Sequence, residues 1–319
     1  MRIRAPLPAL VLLAFAVVST AADESAPANQ VPTAAGSNGT NSRYEGFLFL
    51  DVAGDPLPIQ TDTEIEAFLA EASIADTESV STGITLPRKL TLAGEGFEAY
   101  AVFKDVDISR SKHTEIINGR NHFSFEWIDH YRYDVAAYEL DRILGLDRVP
   151  PTVSRTIKGD SGAISIWVSQ TINEFERERE LKIDPPSPVR WNQQRMLMQV
   201  FDNLVANRDR NLGNILIDTN WRIWFIDCTR CFGTKKTLYY PLEDITHCER
   251  GIWQALKTMD DEETRKRLAP YLSKSEIKVF FARRDAVVRH FQKQIRERGE
   301  AAVLYSVRPP SETAPWGAR

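Results

Sequence analysis

An aspartate and an asparagine five positions apart, followed by a second aspartate at the end of a short apolar hairpin, constrain this chain more than any other feature. The stretch runs Phe201-Asp202-Asn203-Leu204-Val205-Ala206-Asn207-Arg208-Asp209-Arg210-Asn211-Leu212-Gly213-Asn214 and is closed by Ile226-Asp227. Between them, Ile215-Leu216-Ile217, a turn at Asp218-Thr219-Asn220 and the aromatic and β-branched run Trp221 to Ile226 read as two paired strands. Opposite residues of an antiparallel pair stand roughly 5 Å apart, so such a hairpin brings Asn214 beside Asp227. Two oxygen ligands then converge from local sequence alone. That pair suits a hard divalent cation such as Mg²⁺, which keeps its other positions for water and phosphate oxygens. Upstream, Met196, Leu197, Val200, Phe201, Leu204 and Val205 repeat with helical period, which places Asp209 on the loop after a helix over about 192–206. There it is suited to accept or orient a hydroxyl proton. Asp and Asn also gather at turns because they bond local backbone. The agreement of offset, hairpin and flanking helix favours phosphoryl-transfer chemistry over that reading.

The Asp209 to Asn214 offset is the one found in protein-kinase catalytic loops, and Asn207-Arg208-Asp209 stands where those enzymes carry His-Arg-Asp. With Asp227-Cys228-Thr229-Arg230-Cys231-Phe232-Gly233, the region resembles the secreted atypical kinases related to Golgi casein kinase and to the xylosyl kinase of proteoglycan synthesis. It is more distantly similar to HipA-like and phosphoinositide kinases. The resemblance implies an α+β, two-lobed protein-kinase-like fold: a small, mostly β lobe with one key helix, a larger, mostly α lobe, and a nucleotide cleft between them. It also implies ATP as substrate, Mg²⁺ or Mn²⁺ as cofactor, Asp209 as catalytic residue, and Asp227 with Asn214 as metal ligands. The family pattern Asp-x-x-Arg-x-Phe is met by Asp227, Arg230 and Phe232, and Arg230 is expected to support the loop or to touch phosphate. Specific motifs span roughly residues 80–245, with weaker likeness to about 305.

The likeness continues upstream through Asp134-Val135-Ala136-Ala137-Tyr138-Glu139-Leu140-Asp141-Arg142-Ile143-Leu144-Gly145. Ala136, Leu140, Ile143 and Leu144 share one helical face, and Gly145 is the expected stop. Asp134 and Glu139 both flank that face, so the helical wheel does not choose between them. The family places a glutamate where Asp134 stands, paired with the phosphate-binding lysine, which favours Asp134. Glu139 is then a solvated helix charge.

The lysine is expected to be Lys104, at the end of Ala99-Tyr100-Ala101-Val102-Phe103-Lys104, as kinase strands end in Val-Ala-Ile-Lys. Gly94-Glu95-Gly96 joins two strand-like runs, Arg88 to Leu92 and Glu98 to Lys104, and reads as a hairpin turn. The phosphate-covering loop is instead expected one strand earlier, at Ser81-Thr82-Gly83-Ile84-Thr85, with Gly83 and Thr85 contacting phosphate. Ile164 to Val168 reads as a buried strand leading to the hinge.

Arg2 and Arg4, the apolar run Ala9 to Val18 and Ser19-Thr20-Ala21-Ala22 fit a secretory signal, shorter than a membrane span. The expected organisation is a signal peptide over 1–22, a disordered leader over 23–43, an N-lobe over 44–170, a C-lobe over 171–308 and a flexible tail over 309–319. Localisation is then periplasmic, extracellular or in a secretory lumen, without stable membrane insertion. Thr61-Asp62-Thr63-Glu64 announces a capped helix, and Glu174 to Pro188 a charged, Pro-rich insertion. A formal charge of −4 argues against a general nucleic-acid binder. Cys228, Cys231 and Cys248 leave open a disulfide, a redox pair, part of a zinc site or plain core packing. The five histidines show no metal spacing. The basic amphipathic helix over 277–299 is expected to pack on the core.

The expected function is an exported kinase that transfers the ATP γ-phosphate to a hydroxyl, foremost Ser or Thr of a protein. Open alternatives are a sugar, lipid or small-molecule acceptor, AMP transfer, or a non-catalytic nucleotide-binding scaffold.

Overall fold

The computed structural model describes residue 44 and residues 47–79, 87–94, 96–117 and 120–309, without the side chains of 111–126. The expected signal peptide and leader, Gly83, Thr85 and the tail beyond residue 309 lie outside the described residues.

Helix α1 (Asp62–Glu71) begins at the expected capping box: the Thr61 hydroxyl accepts from the Glu64 backbone while the Glu64 carboxylate accepts from the Thr61 backbone. It buries Ile65, Phe68 and Leu69 against an antiparallel sheet. The sheet begins with β1 (Ser73–Ser79), β2 (Arg88–Gly94) and β3 (Phe97–Lys104). A long hairpin follows, β4 (Asp107–Ile117) and β5 (Arg120–His130), then α2 (Arg132–Leu144). Strands β6 (Thr152–Ile157) and β7 (Asp160–Ile166) complete the sheet in the order β1-β2-β3-β7-β6. Gly145 stops α2 in the left-handed conformation, φ 63°, where glycine carries no Cβ penalty.

Beyond the sheet, β8 (Thr171–Asn173) leads to α3 (Pro188–Val205), then to β9 (Ile215–Asp218) and β10 (Ile223–Phe225), which form the expected hairpin. Helices α4 (Arg250–Thr258), α5 (Asp261–Leu268) and α6 (Lys274–Arg298) supply the helical mass. The segment over 174–188 is more ordered than its composition suggests: it holds a π-helical turn over Glu176–Leu181, and the Glu174 carboxylate is buried on the Arg177 guanidinium.

Two apolar clusters result, and their boundary decides where a site can form. One joins α1, the five-stranded sheet and Tyr44, Phe47 and Phe49. The other joins α2, α3 and α4 to α6. The β9–β10 hairpin belongs to both, because strand side chains alternate between faces. Ile223 and Phe225 enter the helical cluster while Trp224, fully buried, enters the sheet cluster among Tyr44, Phe47 and Phe49.

In β3 the same alternation buries Ala99, Ala101 and Phe103 and turns Lys104 the other way. Gly162 on β7 fixes that strand's spacing. A Cβ there would meet the Phe103 ring and lie 2.5 Å from the Lys104 carbonyl oxygen. Gly162→Ala is expected to destabilise the protein by about 1–3 kcal/mol through overpacking, read as a lowered melting temperature in thermal unfolding.

Candidate active site

Lys104 reaches the junction between the clusters from the end of β3. Its Nζ donates to Asp134 Oδ2 and to Asp227 Oδ1, each at 2.9 Å. Asp134 is delivered by the first turn of α2, where the helix dipole favours a carboxylate. Its other oxygen, Oδ1, accepts from the Cys228 backbone N–H at 2.6 Å, so one short side chain holds both the lysine and the residue after Asp227. Asp227 follows β10 in the left-handed region, φ 59°, a conformation that costs a non-glycine residue energy and that surrounding bonds must enforce. Thr229 Oγ1 donates to Asp227 Oδ1 at 3.3 Å.

The charge pattern follows from this geometry. Burial alone works against the Lys104 ammonium, but Asp134 and Asp227 outweigh it and hold the lysine charged above its usual range. Burial raises Asp134, with Lys104 opposing and Asp227 assisting. Burial would raise Asp227 too, yet attraction and hydrogen bonding from Lys104, with Thr229 and Arg230 adding, bring it below the ordinary carboxylate value. Asp227 is therefore an ionised, one-third exposed carboxylate.

Asp209 lies on the loop after α3, which ends at Ala206 in the left-handed conformation. Asn207 Oδ1 accepts from the Asp209 backbone N–H at 2.9 Å, and Asn211 Nδ2 donates to Asp209 Oδ1 at 3.1 Å. Asn214 Nδ2 donates to the Asp209 carbonyl oxygen at 2.8 Å, which leaves the Asn214 amide oxygen for another partner. Burial raises the Asp209 pKa against the opposing Arg230 charge.

Arg230 is placed on Asp209 rather than at large in the cleft. Its Nη1 stands 3.2 Å from Asp209 Oδ2 and its Nε 3.4 Å from Asp129 Oδ2, while the guanidinium stacks on Trp127 with 3.8 Å to the ring centroid. Glu139, assigned to solvent, instead binds Arg267 of α5 through bonds of 2.9 and 2.6 Å.

The largest omission from sequence reasoning is the Asp202–Arg210 pair. Asp202 is fully buried in α3, and Arg210 donates to it through Nε and Nη2 at 3.0–3.3 Å. Arg210 Nη1 also donates to the carbonyls of Asn214 (2.6 Å) and Ile226 (2.8 Å). One guanidinium thus ties the end of the Asp209 loop to the residue before Asp227. Its signal in the sequence was a carboxylate set among Val200, Phe201 and Leu204, which a core admits only with a partner. Asp129 and Trp127 under Arg230 were also missed.

The residues fit a hard divalent cation: an ionised Asp227 and an amide oxygen of Asn214, joined through Arg210. Among the described residues no group of three His, Cys, Asp or Glu forms a metal-ligand set. One or two protein ligands suit Mg²⁺ or Mn²⁺ held with phosphates, and not structural zinc. The three cysteines are buried free thiols.

A family model described as Golgi casein kinase, C-terminal, Fam20 matches residues 59–171. Over that segment the chain is similar to the Fam20 atypical kinases, and its fold is like theirs. The hydra Fam20 structure solved with sugar superposes with TM-score 0.59 at 17% identity, covering 83% of this chain and 97% of that one. The Golgi casein kinase superposes at 0.53 and 15%, covering 76% and 79%. The same kinase with Mn/ADP bound gives 0.54 and 14%, covering 79% and 80%. No curated protein matches the chain in sequence. The matched segment includes Lys104 and Asp134 but ends before Asp209, so the roles of the later residues rest on the geometry above.

Asp202→Ala removes one partner of a buried ion pair and is expected to destabilise the protein by about 3–5 kcal/mol. Chemical denaturation measures this, and a loss below about 1 kcal/mol contradicts the assigned role.

Proposed function

We propose that this chain is an exported kinase that transfers the γ-phosphate of ATP to a hydroxyl group, foremost a serine or threonine of a protein. The observation that carries the reading is Lys104 Nζ at 2.9 Å from both Asp134 and Asp227. That arrangement has one ammonium available for phosphate and one ionised carboxylate available for a cation. In this reading Lys104 binds ATP phosphate and Asp134 holds Lys104 in place. Asp227 with Asn214 would hold Mg²⁺ or Mn²⁺, which supplies electrostatic stabilisation of the transferring phosphoryl group.

Asp209 orients the acceptor hydroxyl and takes its proton, with Arg230 and Asn211 fixing the carboxylate. Arg210 keeps the two loops in register. Support for the donor comes from the Golgi casein kinase solved with Mn/ADP. Export is supported by Arg2, Arg4 and the apolar run that follows. A sugar hydroxyl is the second reading for the acceptor, favoured by the hydra Fam20 solved with sugar.

With ATP labelled at the γ position and Mn²⁺, wild type is expected to label a protein or sugar acceptor. Asp209→Ala should lower kcat by about 10²–10⁴ while keeping the melting-temperature rise that ATP and Mn²⁺ produce. Asp227→Ala should abolish that rise, since ligand-linked stabilisation requires native-state binding. Full transfer by Asp209→Ala, or label carried only from the α position, contradicts phosphoryl transfer at this site.

A further inference from the structure

The alternation of side chains along paired strands sets three polar groups on one face of the β4–β5 hairpin. Asp107 of β4 stands directly opposite His130 of β5, and Ser109, two residues further along β4, stands opposite Ile128. His130 therefore has Asp107 as its cross-strand neighbour and Ser109 as its diagonal one, both within reach of an imidazole. The side chains use that placement. His130 Nδ1 meets Asp107 Oδ1, and His130 Nε2 lies 2.9 Å from Ser109 Oγ.

This bonding pattern assigns the tautomer. Asp107 Oδ1 also accepts from Arg132 Nη1 at 2.9 Å, so the carboxylate is an acceptor and the imidazole proton lies on Nδ1. Nε2 is then the acceptor for the Ser109 hydroxyl proton. His130 is buried and held from behind: its backbone N–H donates to the Thr229 carbonyl at 2.8 Å, and its ring packs at 89° to that of Tyr133. Ser109 and Asp107 are exposed. A buried, oriented base therefore presents an accessible hydroxyl.

Ser109 opens onto a cavity of about 290 Å³, lined in part by Arg110, Trp127, Ile128, Arg208 and Glu276. Small-molecule sites begin at roughly 300 Å³, so the space suits a small substrate. Trp127 and Ile128 supply an apolar wall. Arg208, exposed, supplies N–H donors of the kind that stabilise a developing oxyanion.

We propose that Ser109, His130 and Asp107 form a site, separate from Lys104 and Asp227, that hydrolyses small carboxylic esters. Ser109 is the nucleophile, His130 the general base, and Asp107 the positioning residue that holds the imidazole. Such an arrangement is recognised by geometry and roles, and it recurs on unrelated folds. The Ser109 hydroxyl oxygen bonds to the ester carbonyl carbon as its proton passes to His130 Nε2. The bond from that carbon to the alcohol oxygen breaks, and the alcohol leaves with the proton. Water then adds to the acyl carbon, giving a proton to Nε2, which returns it to Ser109 Oγ as the carboxylic acid departs.

Full-length protein treated with a fluorophosphonate, which phosphonylates activated serines with loss of fluoride, is expected to carry the adduct on Ser109 in peptide mass spectrometry. Asp107→Asn, which favours the wrong tautomer, should slow that labelling at least about tenfold. With para-nitrophenyl acetate, Ser109→Ala is expected to lower release of nitrophenol by about 10²-fold or more, with circular dichroism showing that the variant is folded. No adduct on Ser109, equal labelling of Asp107→Asn, or undiminished ester cleavage by folded Ser109→Ala overturns the inference. Neither assay contains ATP, so failure here leaves the kinase reading standing, and absence of phosphoryl transfer leaves this site standing.

Discussion

One ammonium shared by two carboxylates organises this molecule. Lys104 comes from the sheet, Asp134 from the helix that packs into the helical cluster, and Asp227 from the loop after the hairpin that joins both clusters. None of the three is stable in its place alone. A buried lysine without a carboxylate would lose its proton, and two neighbouring carboxylates without a cation would not both ionise. The triad therefore ties the end of β3, the α2 N-terminus and the Asp227 loop together while producing the charges that the proposed phosphate and cation require. The short aspartate at position 134 suffices, because the α2 N-terminus lies close enough for it to reach Lys104 and the Cys228 N–H.

A second layer of buried charge positions the first. Arg210 neutralises Asp202 in α3 and takes up the carbonyls of Asn214 and Ile226. Arg230 spans Asp209 and Asp129 above Trp127. Burial raises Asp202 against the opposing Arg210, and it raises Asp209 against Arg230. Each guanidinium thus opposes that rise and aims a carboxylate. Arginine suits both places because its planar fork serves several acceptors at once and stays charged.

What local rules govern was legible in the chain. The capping box before α1, the glycine stop of α2, the β2–β3 hairpin and the β9–β10 hairpin each depend on a few adjacent residues, and each stands where expected. Lys104, Asp134, Asp227 and the Asp209 loop followed from strand alternation, spacing and family likeness, and the structure brings the first three into direct contact. The β4–β5 hairpin was not anticipated, since runs such as Ser109-Arg110-Ser111-Lys112-His113-Thr114-Glu115 offer no apolar alternation. The settings of Arg230, Arg210 and Glu139 were hidden for another reason. Their partners Asp129, Ile226 and Arg267 are distant in sequence, and single-chain periodicity does not report which charge meets which.

The central claim is that Lys104, held by Asp134, forms the phosphate-binding charge of this cleft. Titration calorimetry of ATP with Mn²⁺ against wild type and Lys104→Met tests it most directly, with circular dichroism to show that the variant is folded. The account predicts that a folded Lys104→Met binds ATP at least about tenfold more weakly, a loss of roughly 1.4 kcal/mol. Unchanged affinity in the folded variant would contradict it.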